Sequence, residues 1–407
     1  MRRVVVTGIG LASPLGCNYE AASARLRANE SGIVAMPEWN EITHFSPRVA
    51  APVRVPVELE IPHRAARSMG RVAQLATIAT TIAIDDAALP ASELTDGTVG
   101  LAYGSTHGSS HANEAWCRKL IAQNGFLGLS ATTYLKFMSH TTSANLATHF
   151  GVQGRVISTS AACVSGSQAI GAGYETIATG LADVMVCGGA EELHYSHAAV
   201  FDMLHAASKA FNATPELTPR PFDARRDGLV IGEGAGTLVL EEYERAKSRG
   251  RKIYAEIIGY GTNCDGTHVT NPSIDGMRRS MELALKSAGI GASQIDYVNA
   301  HATGTLIGDV AESKATHELF GERVPVSSLK GHLGHTLGAC GALEVAFSIS
   351  MLREGWIAPT RNLEVVGDGC APLDYVTKES RAATLHRVMC NKFAFGGINT
   401  SLVLAAV

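Results

Sequence analysis

The sequence lacks any pair of cysteines in a Cys-x-x-Cys spacing, although it contains eight cysteines. Zinc ribbons and thioredoxin-like redox sites depend on such pairs, so neither is expected and no metal site is predicted. Scattered cysteines in a chain of this size are typical of reduced, mostly buried thiols. They favour a cytoplasmic protein.

Charge is also scarce, since only 18% of the residues are charged and the formal net charge is −4. A chain without a basic excess is not expected to bind nucleic acid. No apolar run approaches the roughly 18 residues of a membrane span. The basic start, Met1–Val6, breaks at Gly8, too early for a signal peptide. The 46% hydrophobic content over 407 residues instead predicts a compact enzyme-like protein with a large core.

Short apolar runs alternate with helical patterns along the chain, which predicts an α/β fold with buried sheets. One stretch, Ser158–Gly171, stands out. Val156 and Ile157 before it are interpreted as the end of a buried strand, and Ser165–Ala178 as a helix. Cys163 should therefore lie at a helix N-terminus, where the dipole lowers a thiol pKa and favours the thiolate nucleophile. The alternative is an inert, buried structural cysteine.

Two histidines lie in comparable places further along the chain. His301 follows the apolar pair Tyr297-Val298, and His335 lies in a glycine-rich turn before the helical run 342–352. Each histidine alone would more often be a surface residue or a satisfied structural one, since the chain contains 15 histidines. A cysteine and two histidines, each at a strand end or glycine-rich turn, together make a candidate nucleophilic site.

Together with their surroundings these residues match a family. The matching motifs run in order along almost the whole chain: Val4–Gly10, Ser158–Gly171, Arg220–Asp223, Arg226–Gly236, Asn299–Thr305, Ser327–Gly341 and Asn391–Asn399. The chain thus resembles the elongating β-ketoacyl–acyl carrier protein synthases, the Cys-His-His ketosynthases of fatty acid and polyketide synthesis. The resemblance implies a thiolase-like fold, in which two similar α/β halves form five layers, α-β-α-β-α. We place the boundary near Gly250, giving halves 1–250, with the cysteine, and 251–407, with both histidines.

The resemblance implies a decarboxylative Claisen condensation. An acyl group passes from a carrier-protein thioester to Cys163, and malonyl carrier protein then loses CO₂ and attacks it. Backbone N–H groups of Cys163 and Phe395 would stabilise the oxyanion, and His301 and His335 the enolate. Because a helix terminus already favours the thiolate, we expect the histidines to serve condensation more than acyl loading.

The same resemblance assigns supporting roles. Lys330 and Glu344 correspond to charged residues behind the histidines, and Phe395 also corresponds to a gating residue. Thr303 and Thr305 correspond to residues that bind the phosphopantetheine arm, so the substrates arrive on this arm and no separate cofactor is expected.

Asp309 and Glu312 correspond to an acidic pair, for which solvated carboxylates at a helix N-terminus are the alternative. Two positions depart from the family pattern. Ala302 stands where glycine is usual and Ile398 where threonine is usual. Either change can reshape the substrate pocket, so fatty acid synthesis and a specialised pathway such as aryl polyene synthesis both stay open.

Acyl carrier proteins are acidic, so a docking partner of this kind needs a local basic patch. Arg64, Arg67 and Arg71 would share one face if their segment is helical, and Arg220 lies in a second basic cluster. Internal ion pairing is the alternative, especially for Arg220, which has aspartates nearby. The resemblance further implies a homodimer, or a heterodimer with a subunit resembling a chain-length factor.

Two alternative functions are weighed against the sequence, that of a degradative thiolase and that of a non-catalytic chain-length factor. A degradative thiolase would need a second catalytic cysteine, and Cys390 is the nearest candidate, although it lacks a Gly-Cys-Gly setting. A non-catalytic chain-length factor would lack the nucleophile, whereas Cys163 is present.

Overall fold

The computed structural model describes every residue from Met1 to Val407. Thirteen α-helices are present: α1 (Tyr19–Arg27), α2 (Arg71–Ala87), α3 (Ala91–Thr95), α4 (Ser110–Gln123), α5 (Ala131–Phe137), α6 (Thr141–Phe150), α7 (Ser165–Ala178), α8 (Tyr195–Met203), α9 (Tyr243–Ser248), α10 (Ile274–Ala288), α11 (Leu306–Phe320), α12 (Lys330–Leu333) and α13 (Cys340–Glu354). None of them is both long enough and apolar enough to cross a bilayer.

Fifteen strands lie between them: β1 (Val4–Ala12), β2 (Val34–Ala35), β3 (Val49–Ala50), β4 (Val99–Gly104), β5 (Val156–Thr159), β6 (Val184–Glu191), β7 (Gly234–Glu242), β8 (Ala255–Cys264), β9 (Tyr297–Ala300), β10 (Pro325–Ser328), β11 (Trp356–Ile357), β12 (Asp374–Tyr375), β13 (Arg381–Ala382), β14 (Arg387–Phe393) and β15 (Ile398–Ala405). The alternation of strands and helices predicted from the sequence is therefore confirmed.

Eleven strands form one continuous sheet in the order β12-β10-β9-β14-β15-β8-β1-β7-β6-β4-β5. The last five belong to the first half of the chain and the first six to the second. The two parts of the sheet meet where β1 pairs antiparallel with β8, through Val4–Val6 against Ala255–Ile257. This short ladder is the only backbone pairing between the two parts of the sheet.

Helices cover the sheet in layers. On one outer side α2 packs on β1 and β7, and on the other α10 packs on β8 and β15. Between the two parts of the sheet lie α7 and α13, which contact each other; α7 packs on β4 and β6, and α13 on β7 and β14. Both central helices are buried over most of their length, as their apolar sequences require. The five-layer arrangement predicted for the chain is confirmed.

Paired glycines allow the outer helices to approach the sheet very closely. A Cβ atom at Gly8 would lie 2.3 Å from the carbonyl oxygen of Ala83 in α2. In the second half, a Cβ at Gly259 would lie 2.4 Å from the carbonyl oxygen of Ala284 in α10. Gly10 and Gly261 are equally crowded. The two halves therefore share the same close packing of an outer helix on glycines of the sheet.

One expectation about the strand before the cysteine is wrong. Val156 and Ile157 were expected to end a buried strand, but β5 is the terminal strand of the sheet and pairs only with β4. Val156 is 44% exposed. Val156 therefore lies on an open sheet edge, whereas Ile157 is half-buried and packs against the core.

Candidate active site

Cys163 lies in a single 3₁₀ turn, Ala162–Val164, between β5 and α7. Ala162 has a φ of +47°, a left-handed conformation that is uncommon for residues other than glycine. The Ser165 hydroxyl holds this turn because it accepts from the Ala161 N–H at 2.9 Å and donates to the Ala162 carbonyl at 2.7 Å. The predicted position between a strand and a helix is confirmed, with the sulfur one turn ahead of α7.

The structure brings the three predicted side chains together. The Nε2 atom of His335 lies 3.0 Å from the Sγ atom of Cys163. The rings of His301 and His335 meet edge to face with centroids 5.1 Å apart. All three residues are at least nine-tenths buried. His301 enters from the end of β9, and His335 from the turn between α12 and α13.

The protonation of this group differs from the sequence-based expectation. Burial raises the pKa of the Cys163 thiol well above its ordinary value, and the opposing effect of Lys330 is smaller. The expected low-pKa thiol is therefore wrong for the resting protein, because desolvation outweighs the lowering effects of Lys330 and of the backbone. Burial lowers the pKa of both His301 and His335 well below the ordinary value. A protonated thiol thus faces a neutral imidazole that can accept its proton.

The acidic pair after His301 shapes its backbone. The Glu312 carboxylate accepts the N–H groups of His301 and Ala302 at 2.7 and 2.6 Å. Asp309 accepts from Gly304 and from Phe222. Both carboxylates are buried, and burial raises the pKa of Asp309 to about 6 and of Glu312 to about 7. Solvated carboxylates, the alternative considered above, are excluded.

Two lysines share one carboxylate behind the histidines. Lys330 Nζ lies 2.5 Å from Glu344 Oε1, as expected for charged residues in this position. Lys392 Nζ lies 2.9 Å from Glu344 Oε2. All three side chains are buried. Sequence reasoning included Lys392 in a motif but gave it no role, since nothing in the sequence marks a lysine as buried.

A cavity of about 280 Å³ opens beside Cys163, His301 and His335. Thr303 and Thr305 line it, with their hydroxyl oxygens 3.2 Å apart. Phe395 also lines it and packs on Phe201 with ring centroids 5.3 Å apart. The next two residues, Gly396 and Gly397, have φ values of +84° and +68°. Left-handed glycines beside a large ring are compatible with a hinged gate.

The predicted basic residues divide into two groups. Arg64 and Arg67 are exposed, but Arg67 lies in a 3₁₀ turn, Ala65–Ser68, that begins directly after Arg64, and Gly70 separates this turn from α2. Arg71 pairs with Glu233 at 2.9 Å, so the three arginines do not share one helix face. Arg220 as a docking residue is wrong, because its side chain is fully buried and pairs with Asp223 at 2.8 Å.

The other cysteines near this region are structural. Cys390 lies buried in β14 and does not line the cavity, which removes the candidate for a second thiolase cysteine. Cys340 donates its S–H to the Cys163 carbonyl at 3.3 Å, and burial raises its pKa to about 11. The sulfur and imidazole nitrogens lie within 4.8 Å of one another, close enough for a cation, but the lysines behind them disfavour one.

Comparisons with known proteins agree with this geometry. The family model described as β-ketoacyl synthase, N-terminal domain, matches residues 1–246, and the C-terminal domain model matches residues 254–364. A protein of Haemophilus influenzae named 3-oxoacyl-[acyl-carrier-protein] synthase 1 is 38% identical over 404 residues, covering 99% of this chain and 98% of that protein.

Solved structures are similar over their full length. A β-ketoacyl synthase from Burkholderia phymatum STM815 has a TM-score of 0.96 and 48% identity, and the match covers 100% of both chains. The ishigamide ketosynthase/chain length factor has a TM-score of 0.91 and 32% identity, covering 100% of this chain and 99% of that one.

Proposed function

The chain belongs to the β-ketoacyl synthase family, and from this premise we propose how its residues carry out the condensation of an acyl thioester with malonyl–acyl carrier protein. The product is a 3-ketoacyl–acyl carrier protein, and the substrates arrive on phosphopantetheine arms. The observation that carries the proposal is the contact between Cys163 Sγ and His335 Nε2, with His301 beside it in one buried cavity.

In the first half-reaction Cys163 takes the acyl group. His335 accepts the thiol proton as sulfur attacks the thioester carbon, and the backbone N–H groups of Cys163 and Phe395 stabilise the oxyanion. The C–S bond of the carrier thioester then breaks, and His335 returns the proton to the departing phosphopantetheine sulfur. Thr303 and Thr305 line the same cavity and are placed to hold the arm by hydrogen bonds.

In the second half-reaction the C–C bond to the malonyl carboxylate breaks, and its electron pair forms an enolate. Each neutral imidazole has one N–H to donate to the enolate oxygen. The Nδ1 atoms of His301 and His335 have no hydrogen-bond partner, so neither tautomer is fixed by the protein. Once sulfur is acylated, His335 can carry its proton on Nε2 and donate beside His301. The enolate carbon attacks the acyl carbon, the C–S bond to Cys163 breaks, and the leaving thiolate takes up one proton from solvent, which is the proton that decarboxylation consumes.

Incubation with an acyl–acyl carrier protein tests the nucleophile. Intact-protein mass spectrometry should show one acyl adduct in the natural protein and in Cys340→Ala, but none in Cys163→Ala. Adding malonyl–acyl carrier protein should then release CO₂ and consume the adduct. An adduct that persists in Cys163→Ala would remove this cysteine from the mechanism.

We further propose that the acyl carrier protein docks on exposed Arg64 and Arg67, and that the protein forms a homodimer or a heterodimer with a subunit resembling a chain-length factor. The open edge of β5 supports such pairing, because unpaired strand edges invite partners. A cytoplasmic location stays a prediction from the cysteine usage.

The pathway depends on the acyl group that the cavity accepts. Ala302 is buried beside His301, and Ile398 packs next to Gly396 in the gate loop, so both departures from the family pattern lie close to the cavity. We propose fatty acid elongation or the synthesis of a polyketide-like chain such as an aryl polyene. Competition between saturated and polyunsaturated acyl–carrier proteins would separate these two substrate classes.

A further inference from the structure

The buried charges behind the two histidines do not balance. Lys330 and Lys392 both approach Glu344, at 2.5 and 2.9 Å, and all three side chains are buried. Two ammonium groups and one carboxylate leave one positive charge in excess. An excess charge is energetically costly in a low-dielectric interior, which indicates that it serves a function.

Lys392 is held firmly in place. Besides Glu344, its ammonium group donates to Asn299 Oδ1 at 2.9 Å and to the Asn391 carbonyl at 2.6 Å. The 2.9 Å contact with Glu344 Oε2 is an ion pair without hydrogen-bond geometry, so two hydrogen bonds and one ion pair hold the ammonium group. Asn299 lies in β9, two residues before His301, and β14, which carries Lys392, pairs with β9 through Cys390 and Asn299. Lys392 therefore connects α13, β14 and the strand that delivers His301.

The other ionisable groups around the histidines do not fully cancel this charge. Glu312 on α11 also faces Lys392, but its oxygens accept the N–H groups of His301 and Ala302, and burial raises its pKa to about 7. Cys163 and Cys340 are buried with raised pKa values and are neutral thiols at pH 7. Glu191 acts on Cys163, and burial raises its pKa to about 8.

We propose that Lys392 is a positioning residue for the condensation: by sharing Glu344 with Lys330, it keeps one uncompensated positive charge behind the histidines, which favours neutral imidazoles and negative charge on the substrate. This inference rests on the proposed function and adds a residue to it. Both lysines act in the same direction on His301 and His335, since their charges lower the pKa of each imidazole in addition to the larger effect of burial. Lys330 alone acts in this way on the Cys163 thiol.

A pair of variants tests the charge directly. Lys392→Met removes one cation and leaves a neutral pair of Lys330 and Glu344. Lys392→Met combined with Glu344→Gln leaves Lys330 alone, which restores the single excess positive charge with different residues. Titration of ¹⁵N-labelled histidine by NMR, in protein without carrier substrates, reports the protonation of His301 and His335.

In Lys392→Met, both imidazoles should protonate at a pH higher by about one unit or more, because a nearby like charge has been removed. The acid limb of CO₂ release from malonyl–acyl carrier protein should move by the same amount. The double variant should bring both values back toward those of the natural protein. If Lys392 served packing alone, the double variant should instead show the larger change in imidazole titration.

Unchanged imidazole titration in a folded Lys392→Met protein would overturn the inference. If Lys392→Met does not fold, the double variant still tests the inference, because its imidazoles must titrate at the same pH as those of the natural protein. The NMR measurement needs no substrate. A protein that shifts as expected but does not release CO₂ would therefore refute the proposed function and leave the role of Lys392 intact.

Discussion

At the scale of the residue, we propose that Cys163 and His335 act as one unit that shares a proton. Their heavy atoms are 3.0 Å apart, and burial favours the neutral form of each. A free thiolate would need compensation that this interior provides only in part, through Lys330. In the proposed mechanism the nucleophile therefore forms when the proton moves to His335 during attack on the thioester.

The two histidines should differ in the first half-reaction. His335→Ala should slow acyl loading about 10²- to 10⁴-fold at neutral pH, because the thiol loses its proton acceptor. His301→Ala should load acyl groups almost normally and fail in CO₂ release. Rapid-quench mass spectrometry of the acyl-enzyme measures the first effect. Equal loading by both variants would restore the simpler expectation that neither histidine serves the thiol.

Alkylation should reveal the raised pKa of Cys163. Because the thiol stays protonated well above pH 9, its labelling by iodoacetamide should keep rising about tenfold per pH unit through the alkaline range. Peptide mass spectrometry can follow Cys163, with exposed Cys264 as an internal control for reagent quality. A plateau reached below neutral pH would contradict a burial-dominated thiol.

At the scale of the element, long apolar or alanine-rich segments were predicted closely. The helix predicted over Ser165–Ala178 has those bounds, and the helical run predicted over 342–352 lies within α13, Cys340–Glu354. Predictions failed where long-range packing determines the local structure, as for the single helix face expected for Arg64, Arg67 and Arg71. A Cβ at Gly70 would meet the Cβ of Ser109 at 2.2 Å, and this contact lies at the break between the 3₁₀ turn and α2. Likewise, nothing local shows that β5 is an edge or that Lys392 is buried.

The glycines under the outer helices should be intolerant of any side chain. Gly8→Ala and Gly259→Ala should each lower the free energy of unfolding by about 1–3 kcal/mol or more, since helix backbone must move to admit the methyl group. Gly291→Ala is the matched control, because its Cβ would meet only Ser293, at 3.9 Å. Urea unfolding measures all three. Equal, small effects would mean that α2 and α10 can shift freely.

The exposed arginines before α2 should serve the carrier protein and not the fold. Arg64→Glu with Arg67→Glu should raise KM for carrier-bound substrates and leave a small pantetheine thioester almost unaffected, because only the protein partner is acidic. Arg71→Glu offers the contrast, since its partner Glu233 is buried and the change should destabilise the fold. Equal loss with both substrates would assign Arg64 and Arg67 to structure.

At the scale of the whole molecule, the open edge of β5 should govern assembly. Val156→Lys adds a charge to this edge and should shift the protein toward monomers, measured by light scattering during size-exclusion chromatography. Leu181→Lys is the control, because Leu181 is exposed at 66% but lies in the turn before β6. An unchanged mass for Val156→Lys would place the partner elsewhere.

The short ladder between β1 and β8 has a consequence for how the protein regains activity after denaturation. We expect each half to order its own strands and outer helix first, whereas Cys163 comes from one half and both histidines from the other. The enzyme is complete only when α7 and α13 have met between them. During refolding, CO₂ release should therefore lag behind the recovery of the circular dichroism signal, and the delay measures the time that the halves need to dock.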